Sequence, residues 1–246
     1  MDYQGKHTIF DCTRIRSDPV RERDNKVTLS DLIDPAHVAL AQGMPRATQN
    51  SIDSVAQHIV AAHRNQRPVI LFTGAHLIKN GLSLLVIDLL KRGLITHVAG
   101  NGATAIHDFE LALMGQTSEN VPHALGQGQF GMAYEFAYIN RALCLGNKQG
   151  LGMGEALGRM ICDSDFRSQA LCADKDKACT FMHPEISLLA VCHQRDIPFT
   201  LHVGIGTDVI DQHPSFDGCA KGGCSGRDFL IYTQQITQLT QGGVIL

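Results

Sequence analysis

The 246-residue chain has no tryptophan, only four tyrosines and no run of four or more basic residues, and its formal charge is −3. A broad nucleic-acid surface needs stacking rings and phosphate-neutralising charge, so this balance argues against one. The most apolar internal stretch, Leu82 to Leu90, carries Asp88 and is too short to cross a bilayer. Residues Met1 to Lys6 contain no apolar export region, which predicts a cytosolic location. None of the eight cysteines (Cys12, Cys144, Cys162, Cys172, Cys179, Cys192, Cys219 and Cys224) forms a CxxC pair. They are widely spread in a chain too long to need disulfide staples, which predicts free thiols. A cysteine metal site would have to be assembled by the fold, within Cys162 to Cys192 or Cys219 to Cys224. An intact GxGxxG and a Walker sequence are also missing.

What is present describes a folded chain: 44% hydrophobic and 18% charged residues, at a length that fits one large domain or a domain with an appendage. Residues 1–50 carry the cluster Arg14, Arg16, Asp18, Arg21, Glu22, Arg23, Asp24 and Lys26, which reads as a solvated arm crossing the surface or joining a neighbouring subunit. Residues 51–246 read as an α/β domain. From Ser51, Ile52, Val55, Ile59 and Ala62 share one side of a helix that Asn50 or Ser51 can cap and Arg67-Pro68 stops. Val69 to Thr73 suits a buried parallel strand, and Gly74-Ala75-His76 turns the chain. A helix with Ile78, Leu82, Leu85 and Leu89 on its packed face leads to Gly93. The strand Ile95 to Ala99, the turn Gly100-Asn101-Gly102 and a helix bearing Ile106, Phe109 and Leu113 follow. Together these units predict an open, mainly parallel sheet with helices on both faces, of the dinucleotide-binding kind.

Later elements are read the same way. Gly126 to Met132 is a turn before a helix, Gly150 to Glu155 precedes another, and Ser164 to Thr180 is a polar surface excursion. A helix spans Glu185 to His193, and Ile197 to Val203 is a strand with Pro198 at its entrance. Asp217 to Asp228 reads as a flexible polar turn before a helix, fit for a solvated loop or a lid. The closing Gly242-Gly243-Val244-Ile245-Leu246 looks like strand, so the chain is expected to stop before the natural domain does.

Three turns follow apolar strands: Thr73 to Gly81, Gly100 to Ala103, and Gly204 to Asp208. In an open parallel sheet such turns gather at the carboxyl ends of strands, where glycines let backbone approach a ligand and helix starts favour negative charge. His76, His107, Asp108, Glu110, His202, Asp208, Asp211 and His213 offer proton donors, acceptors or metal ligands. An amphipathic helix surface also accounts for His107 and Asp108, and a satisfied buried histidine for His202.

Those turns resemble the nicotinamide-binding core of deoxyhypusine synthase. Thr73-Gly74-Ala75-His76-Leu77-Ile78-Lys79-Asn80-Gly81 is similar to that family's Ser-Asn-Leu-Ile run before a glycine, with His76 at the asparagine. Val98 to Gly102 is similar to its next glycine turn, whose following acidic residue Asp108 or Glu110 would supply. Pro198 to Asp208 looks like its strand ending in Thr-Asp-Gly, with Asp208 at the cofactor-side aspartate, and Gly242-Gly243-Val244 resembles its Gly-Gly-Gly-Val strand. Gly74 to Ser83 and Asn101 to Glu110 look closer to a bacterial group of deoxyhypusine synthase-like proteins. The resemblance implies NAD as cofactor, an amine or similar small metabolite as substrate, and a homo-oligomer. The family's nucleophilic lysine lies beyond the Gly-Gly-Gly-Val turn, and Lys79 and Lys221 match no motif for it.

The leading expectation is an NAD-dependent oxidoreductase or transferase. Thr73, Gly74, Asn101, Gly102, Gly204, Gly206 and Thr207 would shape the cofactor surface, Asp208 would bind a cofactor hydroxyl or the reacting cation, and His76, His107 or Asp108 would serve the chemistry. Two alternatives stand beside it: a nucleotide-binding regulatory module without turnover, and a metal-assisted hydrolase using His202, Asp208 and His213.

Overall fold

A computed structural model describes residues 3–39, 43–171 and 179–246. Cys172 and the centre of the polar stretch expected at 164–180 lie outside the described residues. The arm contributes β1 (Asn25–Thr28), and α1 (Arg46–Arg64) leads to β2 (Val69–Thr73). Two helices, α2 (Ala75–Lys79) and α3 (Ser83–Lys91), precede β3 (His97–Gly100), α4 (Gly102–Met114) and β4 (Gln116–Glu119). The helical middle holds α5 (Val121–Gln127), α6 (Phe136–Lys148), α7 (Met153–Cys162), α8 (Ser164–Ala170) and α9 (Leu188–Gln194). The described chain closes with β5 (Phe199–Leu201), α10 (Gly218–Ile236) and β6 (Val244–Ile245).

The four-stranded sheet has the order β5-β3-β2-β6, and every pairing in it is parallel. The chain steps from β2 to β3 to β5 in one direction, and α10 then returns it to the far side of β2. Strand order therefore reverses between β2 and β6, as in doubly wound α/β folds. The register aligns the strand ends: Thr73 is opposite Gly100, and Gly100 is opposite Leu201. Three turns consequently leave the sheet side by side at one level. The arm pairs β1 with β4 as a separate antiparallel ladder.

Side chains alternate across the sheet. Val98 and Leu201 enter the main core with Phe109 of α4, Met153 and Leu157 of α7 and Leu189 of α9, all essentially without solvent exposure. Each such side chain contributes about 1.5–3 kcal/mol by leaving water. The opposite face is crossed by α10, whose Tyr232 ring meets Phe72, His97 and His202 edge-on. Here His97, fully buried, shares the Thr200 hydroxyl with His202, at 2.8 and 3.0 Å.

Several segments differ from the sequence reading: the stretch read as a polar surface excursion opens with α8 and buries Phe166, and the helix read through Ile78 to Leu89 is two, α2 and α3. Helix α1 begins at Arg46 behind Pro45 rather than at Ser51, and of its apolar side only Ala62 is buried while Ile52 and Val55 stay exposed. Periodicity marked a face, but the main contacts of α1 with the sheet are to β2 and β6 at one edge. The stretch expected as a flexible turn, Asp217 to Asp228, is the cap and first half of α10, because the Asp217 carboxylate accepts from the amides of Cys219 and Ala220. Its glycines suit close packing: a Cβ at Gly223 would overlap the Asn147 side chain of α6.

Burial, reinforced by His202, lowers the His97 pKa to about 4. The unfolded chain takes up this proton below about pH 6.5 while the folded protein resists it, so the stability tied to His97 is present above pH 6.5 and lost toward pH 4. Denaturant unfolding of the wild type and His97→Phe should converge in the variant's favour by about 3 kcal/mol from pH 7 to pH 4. A pH-independent difference between them would refute the assignment.

Candidate functional site

The level strand ends bring the three turns into contact. Asn101 caps α4, its Oδ1 accepting from the Thr104 amide at 2.9 Å and the Thr104 hydroxyl at 3.0 Å. The Thr104 hydroxyl, whose one proton is shared between the two acceptors, also lies 3.3 Å from the Thr73 carbonyl, bringing the β2 turn against α4. A Cβ at Gly74 would lie 3.8 Å from Asn101 Nδ2, and a Cβ at Gly102 would overlap the Asp208 carboxylate. Glycine at 102 thus allows a carboxylate to sit against the first turn of α4, where the helix dipole favours negative charge. Thr73, Gly74, Asn101, Gly102 and Asp208 form one neighbourhood at the sheet's carboxyl edge.

The third turn is held by a buried ion cluster. Asp211 Oδ2 accepts from the amides of Gly206, Thr207 and Asp208, at 2.8, 3.1 and 3.3 Å. Lys221, from α10, is wholly buried and places Nζ 2.7 Å from Asp208, 2.6 Å from Asp211 and 3.2 Å from the Gly204 carbonyl. Gly206 adopts φ +82°, which suits glycine, and nothing lies near its would-be side chain. Gly204, Gly206 and Thr207 are exposed, while the Gly206 and Thr207 amides and the Gly204 carbonyl are already taken by Asp211 and Lys221.

Beside this neighbourhood lies a cavity of about 280 Å³, lined by Lys79, Ala103, His107, Glu119, Thr207 and Asp208 among others. Lys79 has no ion-pair partner among the described residues. His107 Nδ1 lies 2.6 Å from the Thr117 hydroxyl, and Thr117 donates to Glu110 at 2.5 Å. Arg23, from the arm, pairs with the other Glu110 oxygen at 2.6 Å. Burial pushes the Glu110 pKa up, but bonding to His107, the Arg23 charge and Thr117 outweigh it, and the net shift is downward.

The other residues picked from sequence lie elsewhere. Asp108, one step around α4 from His107, is wholly buried and accepts from the Ser187 hydroxyl and the Leu188 and Leu189 amides. There it anchors the start of α9, and burial raises its pKa to about 6. This placement corrects the expectation that Asp108 stands in the cleft. His76 is exposed on α2 and does not line the cavity. The hydrolase triad does not assemble: Asp208 holds Lys221, His202 bonds Thr200 and His213 bonds Ser215. Among the described residues, no group of three His, Cys, Asp or Glu side chains is placed to hold a metal. Cys12, Cys144, Cys162, Cys192, Cys219 and Cys224 carry free thiols. No described helix is long and apolar enough to cross a membrane. Sequence reasoning passed over Lys221, Lys79, Thr117 and Arg23, because no local pattern links residues that only the fold brings together.

Strand order and converging turns define the class as an open, parallel α/β fold of the Rossmann-like kind. No protein-family model and no curated protein matches the sequence. Among solved structures, the arginine dihydrolase ArgZ of the cyanobacterial ornithine–ammonia cycle is 18% identical over 84% of this chain, with a TM-score of 0.46. AgrE, in its ternary complex with ornithine and NAD+, is 14% identical over 81%, at 0.42. A LOR/SDH-type protein of Methanococcus maripaludis S2 is 13% identical over 87%, at 0.43. This chain spans 24% of the ArgZ and AgrE chains and 55% of the Methanococcus one. Overlap of this extent assigns neither ligand nor reaction.

Replacing Lys221 by Met would leave two carboxylates buried without their cation, and should cost about 3–5 kcal/mol of unfolding free energy. Gly102→Ala should cost about 1–3 kcal/mol by forcing Asp208 off α4. Thermal and denaturant melts check both, and a neutral outcome for either would remove its contact from the account.

Proposed function

We propose that the protein is an NAD(H)-binding enzyme that oxidises an amine or a similarly small metabolite at the carboxyl edge of its sheet. The observation carrying this reading is the meeting of the Gly74, Asn101-Gly102 and Gly204–Asp208 turns beside a cavity that presents a lysine, a histidine and carboxylates. The resemblance to deoxyhypusine synthase supports the choice of cofactor and substrate class, while fold likeness alone leaves the chemistry open.

The exposed turns at the sheet edge support a dinucleotide as the ligand. Nothing lies above Gly206 and only Asn101 Nδ2, at van der Waals distance, lies near Gly74, so both turns can be approached, with the Gly206 amide itself held by Asp211. In this reading Thr73, Gly74, Asn101, Gly102, Gly204, Gly206 and Thr207 shape the cofactor surface. Bound NAD supplies a hydride acceptor. Asp208 offers a cofactor hydroxyl or the reacting cation the carboxylate oxygen that Lys221 does not hold, Lys79 takes an anionic group of substrate or cofactor, and His107 carries the proton.

A second reading, a nucleotide-binding module without turnover, draws on Lys221: its Nζ is locked between two carboxylates and is unsuited to act as a nucleophile. Titration with NADH, followed by NAD+ reduction across a panel of polyamines and amino acids, separates the two. Binding with amine-dependent absorbance change supports the enzyme, binding alone supports the module, and no binding defeats both. Asp208→Ala should weaken cofactor or amine binding on the order of tenfold, about 1.4 kcal/mol. Unchanged binding and turnover would remove Asp208 from the site.

A further inference from the structure

The arm, α4 and β4 supply a chain of hydrogen bonds along the cavity wall, Arg23 to Glu110, Glu110 to Thr117, and Thr117 to His107, in which Arg23 and Glu110 line the cavity as His107 does. Glu110 is 3% exposed and Thr117 is fully buried. This chain has a direction. The Arg23 ion pair at 2.6 Å keeps Glu110 ionised, and an ionised carboxylate only accepts. Thr117 therefore gives its one hydroxyl proton to Glu110 and has only lone pairs left for His107. The short contact at Nδ1 requires that nitrogen to be the donor. In a neutral imidazole the other nitrogen, Nε2, is then unprotonated. Nε2 makes no hydrogen bond among the described residues, and the ring lines the cavity with Lys79 and Asp208.

We propose that Arg23, Glu110 and Thr117 are positioning residues that hold His107 in its Nδ1–H tautomer, making Nε2 a general base for an ammonium substrate in this cavity. The inference rests on the amine-oxidising reading of the site and deepens it. In the step, an N–H bond of the ammonium breaks, an Nε2–H bond forms and the electron pair stays on the substrate nitrogen. The positive charge passes to the imidazolium, whose Nδ1 is 3.6 Å from Glu110 Oε2. A neutral amine results, the form whose lone pair can assist loss of hydride from the adjacent carbon. Without the relay, the lone pair is free to sit on Nδ1, which points at Thr117 rather than at substrate.

The decisive measurement is proton-coupled nitrogen NMR of protein labelled with ¹⁵N-histidine, with the His107 signals assigned by their loss in His107→Gln. The wild type should show the Nδ1–H tautomer, Thr117→Val should shift His107 toward Nε2–H, and Thr117→Ser should restore Nδ1–H. An Nε2–H tautomer in the wild type, or an unchanged tautomer in a folded Thr117→Val, overturns the proposal. Arg23→Met gives a second handle that leaves the β4 sequence unchanged, though it also removes the 3.9 Å contact to Glu119, and should reduce the Nδ1–H population in the same direction. In amine-dependent NAD+ reduction, kcat should fall on the order of 10²-fold in Thr117→Val and recover in Thr117→Ser, with NADH affinity unchanged. Equal kcat in all three would overturn the base assignment. If NADH does not bind the wild type, the reading of the site fails, whereas the tautomer result still decides the relay.

Discussion

A lysine with no exposed surface, set between two carboxylates, is the constraint on which the rest of the site depends. Lys221 comes from α10 and Asp208 and Asp211 from the loop after β5, so the ion cluster fastens one helix to one turn. Taking three charges out of water is unfavourable unless their geometry is good. Here three backbone amides complete Asp211, and the Gly204 carbonyl completes Lys221. Asp208 is thereby held against Gly102, and the third turn closes onto the first two.

The same logic explains how one helix serves two purposes. His107 and Asp108 are neighbours on α4, yet they diverge because successive helical residues point about 100° apart. One ring lines the cavity, while the adjacent carboxylate is spent on the amides that start α9. The arm takes part as well: Arg23 reaches across to Glu110, so residues 1–50 contribute to the electrostatics of the cavity wall as well as to the surface.

Much of the sheet was legible in the residues. The apolar runs ending at Thr73, Ala99 and Val203 marked β2, β3 and β5 because buried parallel strands read as continuous hydrophobic stretches. Glycine turns after those runs marked the edge where they meet. Helix α10 was hidden by its glycines, which usually signal loops but here allow close packing on α6. The exposed side of α1 was illegible for a related reason: periodicity reports a face, not what covers it.

By itself the sequence determined the local chemistry: which segments favour strand or helix, where the turns fall, and that Asp208 and His107 stand just after such turns. Tertiary structure alone decided the partners. Arg23 and Glu110 are far apart in the chain, as are Gly102 and Asp208, and their contacts arise only when parallel strands align in register and bring distant turns to one level. Side-chain type sets what a residue can donate, accept or neutralise, but proximity is a property of the folded chain.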